Sequence, residues 1–262
     1  MEQIERALRK SRQQRAAVMS NRNGFAGKAR HSRGAAHTQT KCVTLAPEVL
    51  QKHRIVTMEA HNAVTDIYRA LRAKVLQELT LRGKRTIGIT SANRDEGKTL
   101  TAVNLAIAMA MDVNRTILLV DADLRNPSVA NCFGIEPALG VSDCLVGGAT
   151  IADCLIHPRI QRLTIFPARS RIGNSAELLS SPQMTMMTQE LKDRYADRIV
   201  IYDLPPLLSG GDAIGFLPSV DATLLVVRDG VARAGHVRQA LELLAGHDLI
   251  GTILNATPTK AE

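Results

Sequence analysis

Three places in the sequence set charged or hydroxyl side chains directly after an apolar run, and together they describe chemistry on a metal-bound nucleotide. The first is Ser91-Ala92-Asn93-Arg94-Asp95-Glu96-Gly97-Lys98-Thr99, which follows Thr86–Thr90 and runs into the apolar stretch Leu100–Met111. A strand, a loop ending in Gly-Lys-Thr and then a helix make a P-loop in its required context, with Ala92 in place of the usual first glycine. Backbone N–H groups from Asn93 to Leu100 then face phosphate, assisted by the positive end of the helix dipole. Lys98 is the side chain that reaches the β and γ phosphates of ATP, and Thr99 the one that ligates Mg²⁺. Asp95 stands where glycine would ease the loop, and Asp tolerates a left-handed backbone better than most residues.

The second place is the run Thr116–Val120, which ends in Asp121-Ala122-Asp123-Leu124-Arg125. Alternation along a strand sets Asp121 and Asp123 on one side. Two carboxylates beside ATP can hold Mg²⁺ or take a proton from an incoming hydroxyl; helix capping by Asp123 is the competing reading. The third is Ile199–Tyr202, which delivers Asp203 and then Leu204-Pro205-Pro206. An acid after an apolar strand is the Walker B pattern, placed to fix the metal through water. The catalytic candidates are therefore Lys98, Asp121 and Asp123, and the metal candidates Thr99, Asp121 and Asp203. Nucleotide contacts are expected from Asn93 through Leu100, with Asn255 and Arg228, after late apolar runs, on the adenine and ribose side.

Such residues need a scaffold that brings strand ends together. From Arg85 onward the runs TIGIT, TILLV, LTIF, IVIY, ATLLVV and LIGTIL alternate with helical stretches. Near-continuous apolar strands separated by helices predict an α/β fold with a doubly wound, mostly parallel sheet, the P-loop NTPase arrangement. Ligands in such sheets bind at the carboxyl ends of the strands. Ahead of the first strand a helical pattern over Thr57–Leu81 carries Ile67, Leu71, Val75 and Leu76 at three- and four-residue spacings.

Charge divides the 262 residues into two parts. Residues 1–56 hold 12 Lys and Arg against 3 Asp and Glu, whereas residues 57–262 hold 21 against 22. The expected organisation is a basic N-terminal helix and linker over 1–56, then an ATP-binding domain over 57–262. Ile4–Met19 has good helix formers with few apolar residues, and residues 20–41 read as a flexible linker. The basic segment is either a solvated linker or a contact to an anionic membrane surface; nucleic acid is the less favoured partner. The longest wholly apolar run, Leu105–Met111, has seven residues, where a membrane span needs about 20. With no secretory signal pattern either, a cytoplasmic location is expected. Cys42, Cys132, Cys144 and Cys154 have no C-x-x-C spacing, which argues against a zinc site or a redox motif.

The P-loop, ILLVDADLR (Ile117–Arg125) and IVIYDLPP (Ile199–Pro206), in this order and spacing, resemble the Walker A, A′ and B motifs of the bacterial tyrosine kinases of capsule and exopolysaccharide export. GVSDCLVGG (Gly140–Gly148), NSAELLSSPQM (Asn174–Met184), Asp212-Ala213 and GTILN ending at Asn255 extend the match, so that it covers residues 57–255. IERALRKSR, near the N-terminus, is similar to the start of free-standing kinases from exosortase-linked loci. The resemblance implies an Mg-ATP-dependent tyrosine autokinase with ATPase activity, in which Lys98 and Thr99 hold Mg-ATP. Asp121 would activate the tyrosine hydroxyl, Asp123 assist, and Asp203 support the metal. It also implies a membrane polysaccharide co-polymerase as activator, recruitment to the inner face of the plasma membrane, and a homo-oligomer built on a helix that here reads Asp66-Ile67-Tyr68-Arg69-Ala70-Leu71-Arg72.

The departure from that pattern is at the end of the sequence, where the family carries a tyrosine cluster and residues 255–262 carry none. The tyrosines are Tyr68, Tyr195 and Tyr202; the last two read as packing residues, leaving Tyr68 as the acceptor candidate. A Min- or Par-type ATPase switch and a non-catalytic ATP-sensing subunit stay open as alternatives. The signature lysine of the Min and Par proteins falls here on Asn93, which speaks against their shared-nucleotide dimer.

Overall fold

Residues 41–57 and 62–257 are described by a computed structural model. Its strands are β1 Lys41–Cys42, β2 Thr86–Ser91, β3 Thr116–Asp121, β4 Ile156–His157, β5 Leu163–Phe166, β6 Arg198–Asp203, β7 Ala222–Arg228 and β8 Leu249–Asn255, in one sheet of order β1-β4-β5-β3-β6-β2-β7-β8. Every neighbouring pair is parallel except β4 with β5. The longer helices are α1 Ala63–Leu81, α2 Lys98–Ala110, α3 Pro182–Asp193 and α4 Ala234–Leu243.

Alternation along the strands makes two cores. Ile117 and Leu119, Ile199 and Ile201, Leu224 and Val226 point to one face, where Val75 and Leu79 of α1 and the apolar side of α2 cover them. Leu118 and Val120, Val200 and Tyr202, Leu225 and Val227 point to the other, against Met184 and Leu191 of α3 and Ala240 of α4. A strand buried on both sides needs apolar residues at consecutive positions, which is why these runs look continuous in the sequence. Each fully buried Leu or Ile contributes about 1.5–3 kcal/mol.

The sheet order fixes where chemistry can happen. β6 lies between β3 and β2, with Asp121 of β3 directly opposite Asp203 of β6 and Ile89 of β2 paired to the same Asp203. The loop after β2 therefore opens beside both acids.

Two sequence expectations change. The α/β body begins before residue 57: β1 joins β4, Ile55 and Val56 are buried, and the buried Asn104 of α2 accepts from the Val56 N–H and donates to the Arg54 carbonyl. Residues 41–56 thus belong to the sheet and its core; the expected helix over residues 4–19 and linker residues 20–40 lie outside the described residues. On α1 the buried positions are Thr65, Tyr68, Val75 and Leu79, while Ile67 is 63% exposed. A helix advances about 100° per residue, so 68, 75 and 79 share a side that residue 67 misses. Among the described residues no helix is long and apolar enough to cross a membrane.

Candidate active site

The P-loop is held in shape by backbone that few side chains allow. Asp95 has φ 61° and Gly97 φ 92°, both left-handed. The positive φ is what favours glycine at Gly97, and a Cβ there would also displace the Asn255 amide. Ser91 Oγ donates to the Asn93 carbonyl at 2.6 Å. Asn255 Nδ2 donates to the Glu96 carbonyl at 3.0 Å and an Arg228 guanidinium nitrogen to the Asp95 carbonyl at 3.1 Å. These contacts consume carbonyls, leaving the N–H groups at the start of α2 as the loop's donors.

Lys98 lies at the centre of three acids. Its Nζ is 2.9 Å from Asp123 Oδ2 and 3.3 Å from Asp203 Oδ1. Burial works against the ammonium, but the carboxylates of Asp203 and Asp123 outweigh it and hold Lys98 above its ordinary range. Thr99 Oγ1 donates to Asp203 Oδ2 at 2.6 Å and lies 3.1 Å from Ser128 Oγ. Asp121 is fully buried; its Oδ2 accepts from the N–H groups of Ser128 and Val129 at 2.9 and 3.0 Å, and its Oδ1 from that of Asp123 at 3.2 Å. Burial first, and then the facing Asp203 carboxylate, push Asp121 up to about 8. Burial likewise pushes Asp203 up.

A cleft of about 530 Å³ opens over this cluster, within the range of nucleotide-sized sites. Of the residues expected from sequence, Arg94, Asp95, Gly97, Lys98, Thr99, Leu100 and Asp123 line it. Asp121 and Asp203 lie beneath, reaching the cleft through their contacts to Ser128, Lys98 and Thr99. The side chains of Asn93, Glu96, Arg228 and Asn255 do not line it. Asn93 turns its amide to Glu96 and His236, and Asn255 and Arg228, expected on the adenine and ribose side, donate to the loop carbonyls of Glu96 and Asp95. Sequence reasoning missed Ser128, Arg171 and His53, all on the cleft wall. Ser128 follows the second acidic motif closely enough to have been found. Arg171 is brought in by a bond from the Ile172 N–H to the Leu124 carbonyl, 3.0 Å, which no local pattern announces.

The donor set fits a hard divalent cation. A hydroxyl and carboxylate oxygens suit Mg²⁺, and three buried carboxylates face a single lysine, an imbalance that two positive charges would relieve. Among the described residues no group of three or more His, Cys, Asp or Glu side chains is arranged to hold a metal alone. Nucleotide-borne Mg²⁺ takes one or two protein oxygens and completes its shell with phosphate and water.

On α1, Asp66 pairs with Arg69 of the same helix at 2.8 Å, and Arg72 donates to the Ala108 carbonyl at the end of α2, 3.3 Å. Tyr68 is 9% exposed, and burial raises its hydroxyl above its ordinary range. Tyr202 is fully buried, while Tyr195 is half-buried under the Arg198 guanidinium, 4.0 Å from the ring centre.

Residues 84–233 match the family model described as an AAA domain. Tyrosine-protein kinase YwqD of Bacillus subtilis (strain 168) is 31% identical over 208 residues, covering 79% of this chain and 86% of that protein. The succinoglycan biosynthesis transport protein ExoP of Rhizobium meliloti (strain 1021) is 32% identical over 209 residues; the match covers 78% of this chain and 26% of ExoP, about a quarter of that relative. Among solved structures, the kinase domain of the Escherichia coli tyrosine kinase ETK superposes with a TM-score of 0.69 at 27% identity, over 83% of this chain and 96% of that one.

Proposed function

The chain belongs to the bacterial tyrosine kinases of the AAA-domain family, and from that premise we propose that it passes the terminal phosphoryl group of Mg-ATP to tyrosine hydroxyls in the control of exopolysaccharide polymerisation and export. The observation that carries the chemistry is the cluster in which Lys98 meets Asp123 and Asp203 beside Thr99, with Asp121 opposite Asp203 across the strands. Support for the polysaccharide role is the likeness to a protein named for succinoglycan biosynthesis and transport.

In this reading the start of α2 and Lys98 bind the phosphates, and the two acids already paired to Lys98 fix its position before nucleotide arrives. Mg²⁺, when bound, neutralises phosphate charge; Thr99, Asp121 and Asp203 are the residues that would hold it. Asp123 lines the cleft and meets the acceptor hydroxyl, while Asp121 sits below it and fixes the 122–129 loop through three backbone N–H groups. Proton removal from the acceptor falls to this pair of acids. A membrane co-polymerase is the proposed activator, and the Asp66, Arg69 and Arg72 helix the proposed contact between subunits. The anionic inner face of the membrane is the proposed target of the basic segment over residues 1–56.

The test is incubation of the protein with γ-labelled ATP and Mg²⁺, with and without Lys98→Met, followed by phosphoamino-acid analysis. Labelled phosphotyrosine that disappears in Lys98→Met is expected; full activity in that variant would remove the assigned site. A second reading, an ATPase switch without phosphotyrosine, is favoured by the burial of Tyr68 and Tyr202. Phosphate release with no phosphotyrosine, on the chain or on an added tyrosine copolymer, selects it.

A further inference from the structure

We propose that Cys144 and Cys154 are a dithiol site that hydroperoxides convert to a reversible disulfide. The two sulfurs are 3.3 Å apart, within hydrogen-bond reach of each other, and a bond of about 2.05 Å needs an approach of only about 1.3 Å more. They sit on two short helices, Val141–Leu145 and Ile151–Cys154, joined by a turn through Gly147 and Gly148. Gly147 has φ 78°, and a Cβ there or on Gly148 would meet no close side chain, so this turn has room to absorb the movement. The second helix is held at its start by Thr150 and Asp153, which cap each other's backbone N–H groups.

The two thiols differ in access, and the difference assigns their roles. Cys144 lines a surface groove of about 280 Å³ together with Leu145, Ala149, Gln183, Met186 and Glu190. Cys154 is 1% exposed, lies behind it, and points its S–H at the Gly140 carbonyl, 3.5 Å. Cys144 therefore meets the oxidant. Its sulfur, on losing the thiol proton to solvent, attacks one peroxide oxygen; the O–O bond breaks, leaving a sulfenic acid on Cys144 and releasing water or an alcohol. Cys154 sulfur, losing its proton, then attacks the Cys144 sulfur and expels a second water, so that two thiols give up two electrons and two protons to the peroxide. Burial holds both groups in the thiol form, so the pair stays reduced until an oxidant in excess is supplied. The spacing of ten residues matches no redox motif, so the pair is visible only in the fold.

The experiment exposes the folded protein to excess hydrogen peroxide and counts thiols after denaturation. The number of free thiols is expected to fall from the four of the sequence toward two, with a peptide pair joined through Cys144 and Cys154 in non-reducing mass spectrometry and all four thiols restored by dithiothreitol. In Cys154→Ser, dimedone is expected to trap a sulfenic acid on Cys144; in Cys144→Ser, residue Cys154 is expected to remain unmodified. Oxidation of Cys42 without the 144–154 bridge, or a bridge that forms only after urea unfolding, overturns the proposal.

Discussion

At the amino-terminal edge of the sheet Asp221 and Asp248 are surrounded by cations, whereas at the carboxyl-terminal edge Asp121 and Asp203 face each other across adjacent strands. Asp221 accepts from Lys192 at 2.5 Å and from the N–H groups of Arg85 and Thr86 at 3.0 and 3.1 Å. Burial works to raise it, but Lys192 and the Arg85 N–H prevail and hold it below the usual carboxylate range. Asp248 is lowered by its bond to Lys84, with Arg82 beside it. Asp121 and Asp203 are both raised, by burial first. The same side chain serves opposite purposes at the two ends: neutralised acids anchor strand starts, while crowded acids leave a charge imbalance for a ligand to correct.

Single amide substitutions at the two edges should separate these purposes. Asp121→Asn is expected to lower phosphotransfer by about 10²–10³-fold, the range for loss of one preorganised electrostatic group. Folding at neutral pH should be spared or favoured, because a carboxyl pushed up to about 8 must take up a proton on folding from the ionised unfolded chain, which the amide does not. Asp221→Asn should do the reverse: a melting free energy lower by about 1–3 kcal/mol, from buried donors left short of an acceptor, with phosphotransfer within twofold well below the melting temperature. Thermal melts and initial rates on the same preparations decide it. Equal losses of rate in both variants would dissolve the distinction.

The pH dependence of stability sharpens the contrast. Asp121, with its folded value raised, makes a contribution that is fully present below the unfolded value of about 3.9, is lost progressively as pH rises from there, and is gone above about 8. Asp221, with its value depressed, contributes above the unfolded carboxylate value of about 3.9 and loses that contribution as pH falls below it. Melts of the unliganded protein should therefore decline from pH 5 to about 8, by at most about 1.4 kcal/mol per pH unit for one proton, and level off above it. Mg-nucleotide should flatten that limb, since the cation stabilises the ionised acids. A melting temperature that climbs between pH 5 and 8 without nucleotide would contradict the assignment.

The sequence announced the strands that are long enough to show a pattern. β2, β3, β5, β6, β7 and β8 were all readable as apolar runs, but β1 and β4 have two residues each, too few for any periodicity. The acids Asp121 and Asp203 were legible because each ends such a run, and Asp123 because it follows Asp121 by two residues. What the sequence withheld depends on side-chain direction. Tyr68 and Ile67 are neighbours on α1, yet one is buried and the other exposed, and only the helix rotation fixed by packing against α2 decides which. Arg171 reaches the cleft through a backbone bond between two loops. Arg228 and Asn255 stand at strand ends, as expected, but position along a strand does not announce their bonds to the loop carbonyls.

Arg228 supplies the smallest and most discriminating effect. Its single bond to the Asp95 carbonyl is worth about 0.5–1.5 kcal/mol, so Arg228→Ala should weaken nucleotide binding by about two- to tenfold with kcat unchanged. A brace acts on the phosphate loop and has no interest in the base, so ATP, GTP and inorganic triphosphate should all lose affinity by the same factor. A residue touching adenine would instead cost ATP alone and leave triphosphate untouched. Calorimetric titration of the three ligands with both proteins distinguishes these outcomes. Equal losses make the P-loop's shape, stiffened from behind by Arg228 and Asn255, part of the binding site although neither side chain lines the cleft.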